Sequence, residues 1–238
     1  MNWDDYDAAL FDMDGVLTPT AEVHMRAWQA LFTDFLTRRG FVDQPYVVGD
    51  YFTYIDGKPR YDGVRSFLAS RGITLPDGDP SDEPNTETVC GLGNRKNVFF
   101  NAVLTDEGVQ PYPGSVQFLD FLARRGTKVA VVSSSKNARP VLEAAGIAER
   151  FEVVVDGNVG AQEHLPGKPA PDTFAYAAAQ LGVPRERAVV FEDAISGVAA
   201  GRAGRFGLVV GVDRGVGAEQ LIESGADLVV ADLAELVE

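Results

Sequence analysis

Two acidic pairs set the chemistry that this sequence could carry. Asp12 and Asp14 stand two apart in Phe11-Asp12-Met13-Asp14-Gly15-Val16-Leu17-Thr18, directly after the apolar run Ala8-Ala9-Leu10-Phe11. Such closely spaced carboxylates suit Mg²⁺, a hard cation that takes near-octahedral oxygen ligands and keeps several waters. Glu192 and Asp193 end a second apolar run, Val189-Val190-Phe191, and would add oxygen ligands. A third run ends in Ser133-Ser134-Ser135-Lys136-Asn137, where hydroxyls and backbone N–H groups at a helix start can bind phosphate oxygens. Lys168, in Gly167-Lys168-Pro169, supplies a cation just ahead of a helical stretch. Taken singly, each is an ordinary turn, cap or surface residue. Their order along the chain, Asp-x-Asp, then Ser, then Lys, then Glu-Asp, points to phosphate chemistry beside a metal.

The elements that must position these groups follow from periodicity. Short apolar runs at 8–12, 128–132, 187–191 and 206–211 read as buried strands. Helical patterns at 115–125, 138–145, 172–181 and 197–203 alternate with them, most followed closely by a glycine stop signal. Alternation of this kind predicts a parallel sheet covered on both faces, with ligands at the C-terminal edge of the strands. Residues 23 to about 105 break the rhythm with three amphipathic helices, at 23–39, 63–71 and 95–104, and an exposed turn-rich loop at 75–85.

Composition narrows the classes further. The 238 residues are 45% hydrophobic and 24% charged, the balance of a globular protein. No apolar run approaches the ~20 residues of a membrane span, and the acidic start lacks the features of a secretory signal, so a cytoplasmic protein that binds no membrane is expected. With 35 acidic and 21 basic side chains the net charge is −14, which disfavours nucleic acid as a partner. One cysteine, Cys90, and two histidines, His24 and His164, make no Cys/His zinc set. Any metal is expected on oxygen, and a monomer is the default.

The ordered set of motifs resembles the haloacid dehalogenase (HAD) superfamily of phosphotransferases, and within it the β-phosphoglucomutase-like subgroup. The likeness is carried by residues 11–28, Gly57-Lys58-Pro59-Arg60, Asn94-Arg95-Lys96-Asn97 and residues 133–137, and it covers nearly the whole chain. It implies an α/β fold, a Rossmann-like doubly wound parallel sheet (1–20 and 108–238) with an inserted α-helical cap domain (21–107) and an active site between them. Implied too is a Mg²⁺-dependent phosphomutase that interconverts β-glucose 1-phosphate and glucose 6-phosphate through an aspartyl phosphate and glucose 1,6-bisphosphate. A phosphatase acting on a sugar phosphate or another small phosphomonoester is the alternative.

By the same resemblance Asp12 is the nucleophile and Asp14 the general acid and base. Asp12, Asp193 and the backbone of Asp14 ligate Mg²⁺, with Glu192 direct or through water. Ser133, the N–H of Ser134 and Lys168 hold the transferring phosphoryl group. Arg60, Ser135, Lys136 and Asn137 grip the distal phosphate, Lys96 meets the sugar, and Thr20 and His24 act at the hinge. Pro19 stands where the family often has an acid, the acidic loop 76–88 is an extension, and 56–72 and Gly211-Val212-Asp213-Arg214-Gly215 look like a distinct subgroup.

Overall fold

The computed structural model describes residues 2–41 and 43–237. After a 3-10 turn at Trp3–Asp5 come β1 (Ala8–Phe11), α1 (Thr20–Arg38), the single turn α2 (Val48–Asp50), α3 (Arg60–Ser70) and α4 (Val89–Glu107). It continues through α5 (Pro113–Arg125), β2 (Lys128–Val132), α6 (Ala138–Ala144), β3 (Val153–Val155), α7 (Gly157–Gln162) and α8 (Asp172–Gln180). The last elements are β4 (Ala188–Glu192), α9 (Ile195–Ala203), β5 (Leu208–Val212), α10 (Ala218–Glu223) and β6 (Leu228–Val230). Packing divides the chain into two compact units, Met1–Pro19 with Val109–Glu238, and Thr20–Gly108.

In the first unit, the described strands form one parallel sheet of order β3-β2-β1-β4-β5-β6. Ala8 and Leu10 face a cluster built with Phe174, Ala177 and Ala178 of α8. On the alternate face Phe11 stacks on its register partner Phe191 at 4.7 Å, and Phe118 of α5 packs edge-on against both rings. Both faces are therefore covered, which is why the strands read as continuous apolar runs. From central β1 the order runs outward through β2 to β3 on one side and through β4 and β5 to β6 on the other. That reversal makes the C-terminal end of β1 the topological switch point, where open α/β sheets bind ligands.

The doubly wound sheet is as expected, with differences at its edges. β3 and β6 were not anticipated: each has three residues, too few for period or propensity to register. The fourth expected strand lies at Leu208–Val212, shifted toward its C-terminal side. α5 starts earlier than the apolar pattern because Pro113 occupies its first turn, and it stops at left-handed Gly126.

The second unit is helical. Phe32 of α1 stacks on Phe67 of α3 at 3.8 Å and on Trp28 at 5.4 Å, and all three rings are buried. The loop at 75–85 is exposed, yet fastened to α4: Asn94 Nδ2 donates to the carbonyls of Pro80 and Asp82, and Arg95 Nε donates to that of Pro84.

Phe118 carries the outer aromatic layer against β1 and β4. Phe118→Ala should destabilise the sheet unit by about 3–5 kcal/mol, read as a lower urea midpoint in far-UV circular dichroism.

Candidate active site

The segment from Asp12 to Thr18 is shaped by backbone bonds. Asp12 N–H donates to the Phe191 carbonyl at 2.9 Å, extending the β1–β4 pairing by one residue, and places Asp12 at the sheet edge. The chain then folds on itself: the Leu17 and Thr18 N–H groups donate to the Met13 carbonyl, and Gly15 N–H donates to the Thr18 carbonyl at 2.8 Å. Gly15 has φ +81°, which favours glycine. Space demands it as well, since a Cβ there would lie 1.8 Å from Asp193 Oδ2. Met13, Val16 and Leu17 are fully buried, so this hairpin is packed into the unit. Ser115 Oγ and the Tyr112 N–H fasten it further by donating to the carbonyls of Val16 and Leu17.

Lys168 joins the strand ends. Its Nζ lies 2.5 Å from Asp12 Oδ1 and 2.5 Å from Glu192 Oε1, donates to the Val132 carbonyl at 3.0 Å, and sits 5.0 Å from the Phe174 ring centroid. Val132 precedes Ser133, so β1, β2 and β4 and the 166–168 turn all meet at one buried cation. Glu192 Oε2 also accepts the Ala194 N–H at 3.0 Å, and Gly197 leaves room, because a Cβ there would lie 1.8 Å from Glu192 Oε1. Burial opposes the charge on Lys168, but Asp12 and Glu192 outweigh it and raise its pKa. Burial raises the Asp12 pKa well above the usual carboxylate value; Lys168 pulls it down, and Glu192 and Asp14 push it up.

Asp12, Glu192 and Asp193 are buried, with ligand oxygens within 4.8 Å of one another. Three carboxylates against one lysine leave the group short of positive charge, and every donor is oxygen. Those features fit Mg²⁺ rather than a softer metal.

The serine loop is held by its neighbours. Ser133 Oγ accepts the Ser135 N–H at 3.1 Å, and Ser135 Oγ accepts the Asn137 N–H at 3.1 Å, which curls the chain into α6. Asn158 Nδ2 donates to the Lys136 carbonyl and Gly157 N–H to that of Ser135. Asp156 in turn caps α7, accepting the N–H groups of Asn158 and Val159. Asp156, Gly157 and Asn158 were not foreseen as supports. The local signal available was Asp156 ahead of Gly157 and Asn158, a residue type suited to a helix N-cap.

The remaining named residues lie in the helical unit. Thr20 opens α1 and is buried; His24, one turn on, stacks on Phe100 with centroids 4.2 Å apart. Lys96 bonds to His24 Nδ1 and stands over the rings of Trp28 and Phe100. It is only 3% exposed, so this helix lysine is an interior cation supported by π faces. Arg60 opens α3 and donates from Nη2 to Asn97 Oδ1 at 2.8 Å; burial lowers its pKa. Gly93 makes the room, since a Cβ there would press on the Tyr61 ring and Arg60 Cδ. Sequence reasoning named Arg60, Lys96 and His24 separately and missed the Lys96–His24 bond and the Arg60–Asn97 clamp.

A family model described as "haloacid dehalogenase-like hydrolase" matches residues 6–205. The chain is similar to a protein named beta-phosphoglucomutase from Mycobacterium tuberculosis (strain CDC 1551 / Oshkosh), at 51% identity over 97% of this chain and 91% of that protein. It is similar to the beta-phosphoglucomutase of Bacillus subtilis (strain 168) at 32% identity over 96% of this chain and 91% of the relative. Among solved structures, the beta-phosphoglucomutase of Clostridium difficile superposes with a TM-score of 0.77 at 25% identity, covering 97% of this chain and 93% of that one.

Removing Lys168 would leave Asp12 and Glu192 buried together with no cation beside them. Lys168→Met should destabilise the sheet unit by about 3–5 kcal/mol, measured by denaturant unfolding, and should abolish turnover.

Proposed function

Because the chain belongs to the haloacid dehalogenase-like hydrolase family, as an enzyme of its β-phosphoglucomutase-like subgroup, we propose that it is a phosphomutase interconverting β-glucose 1-phosphate and glucose 6-phosphate. The observation that carries the reading is the buried Asp12–Lys168–Glu192 group at the sheet's switch point. It presents a carboxylate nucleophile beside a fixed cation. Relatives named as mutases at 51% and 32% identity favour transfer over hydrolysis.

In this reading Asp12 attacks phosphorus in line and becomes an aspartyl phosphate. Asp14 protonates the departing sugar oxygen and later takes the proton from the incoming hydroxyl. Lys168 and Ser133, with the Ser134 N–H, hold the phosphoryl oxygens and offset the charge that develops on them. Mg²⁺, held by Asp12, Asp193 and the Asp14 backbone with Glu192 direct or through water, would supply further charge neutralisation when bound. Glucose 1,6-bisphosphate forms between the two transfers and must reverse its orientation, so the enzyme needs a second phosphate grip. Arg60, Ser135, Lys136 and Asn137 provide it, and Lys96 binds the sugar. Thr20 and His24 act at the hinge between the core, 1–20 and 108–238, and the cap, 21–107. We read the enzyme as a cytoplasmic monomer that acts on small sugar phosphates.

The test is a coupled assay with β-glucose 1-phosphate, Mg²⁺ and a trace of the 1,6-bisphosphate, reading glucose 6-phosphate and inorganic phosphate together. Glucose 6-phosphate without phosphate release is expected; the reverse would make the enzyme a phosphatase. Arg60→Ala should lower mutase kcat/KM about 10- to 100-fold, the loss of a charge-assisted phosphate contact. Turnover of a small phosphomonoester should hold within about threefold, since it has no distal phosphate to lose. Equal losses in both reactions would remove the support for a distal grip.

A further inference from the structure

The turn after β5 reaches the nucleophile hairpin through one side chain. Arg214 Nε donates to the Gly15 carbonyl at 2.8 Å, and Nη1 donates to the Ala231 carbonyl at 2.9 Å. The guanidinium lies 4.0 Å over the Tyr112 ring centroid, and Nη2 is 4.0 Å from Asp232 Oδ2. Its own turn is rigid: Asp213 Oδ1 accepts the N–H groups of Gly215 and Gly217, and Asp213 N–H donates to the Val230 carbonyl. Arg214 is thus a braced side chain with one bond directed at the catalytic segment.

That bond meets the hairpin where it is most needed. Gly15 follows Asp14 directly and, lacking a Cβ, is the residue of the segment whose dihedrals turn most freely. Its N–H donates to the Thr18 carbonyl, and its carbonyl accepts from Arg214. Rotation here would swing Asp14 and move the backbone that packs against Asp193. A planar fork serves two carbonyls in a fixed geometry while its face stacks on a ring, a combination that a compact ammonium on a flexible stem does not reproduce.

We propose that Arg214 is a positioning residue for the general acid Asp14, locking the Gly15 peptide so that the Asp14 carboxyl faces the departing sugar oxygen. This rests on the role given to Asp14 above. The consequence is a dependence on the leaving group. When Asp12 attacks a sugar phosphate, the breaking P–O bond leaves its electron pair on an alkoxide, which needs the Asp14 proton. When it attacks p-nitrophenyl phosphate, the pair leaves on a stable phenolate that needs none.

The experiment compares wild type, Arg214→Ala and Arg214→Lys on β-glucose 1-phosphate turnover and on the single-turnover burst of p-nitrophenolate. For Arg214→Ala, sugar-phosphate kcat should fall about 10- to 100-fold, part of the ~10²–10⁴ that acid–base catalysis supplies. KM and the burst rate should stay within about threefold. Arg214→Lys keeps a cation and an aliphatic stem on Tyr112, so it tests the same split if the alanine variant does not fold; a sugar-specific loss of roughly 3- to 10-fold is expected. Equal losses on both substrates, or a fully active lysine variant, would overturn the positioning role. A wild-type enzyme that gives the burst but no sugar-phosphate turnover would overturn the mutase reading, and the role of Arg214 with it.

Discussion

One ammonium group against three buried carboxylates is the constraint on which the structure turns. Lys168 touches Asp12, Glu192 and the end of β2 at once, and removing it would leave two buried carboxylates without their counter-charge. Closeness of this order leaves no space for side chains behind it. Glycine is therefore required at position 197 by Glu192 and at position 15 by Asp193. The charge cluster thus dictates the two tight approaches of backbone to carboxylate.

The sheet makes that constraint affordable. Parallel strands covered on both faces end at one edge, and the reversal of order about β1 opens a place there for polar groups. Phe11, Phe118 and Phe191 seal the layer immediately beneath. Asp12 and Glu192, one residue beyond Phe11 and Phe191, emerge above a buried aromatic floor. The low polarity that penalises unpaired charge also strengthens the attraction of Lys168 for the two acids.

Much of this was legible in the chain. The Asp12-x-Asp14-Gly15 and Glu192-Asp193 motifs gave themselves away because each follows a buried strand, and strand-then-acid is a local pattern. β3 and β6 were not legible, since three apolar residues carry no period. Lys96 could not be recognised as buried from its helix alone: its π faces come from Trp28 and Phe100, residues distant in sequence or one turn away. Arg214 was visible only as part of an unusual Gly-Val-Asp-Arg-Gly stretch, because its partner Gly15 is 199 residues away. Local chemistry was readable, and long-range bracing was not.

The bracing of the 12–18 hairpin also fixes when the site can come into being. Its fastenings come from Tyr112, Ser115, Lys168, the Phe191 carbonyl and Arg214, all made after it as the ribosome proceeds from the N-terminus. During synthesis Asp12 waits without its counter-cation or its clamps, and β1 waits for both neighbours in the sheet. Closing such distant contacts is the slow part of folding. The partners of the hairpin thus arrive in order, Tyr112 and Ser115 first and Arg214 last, so its bracing is complete only when most of the chain has been made.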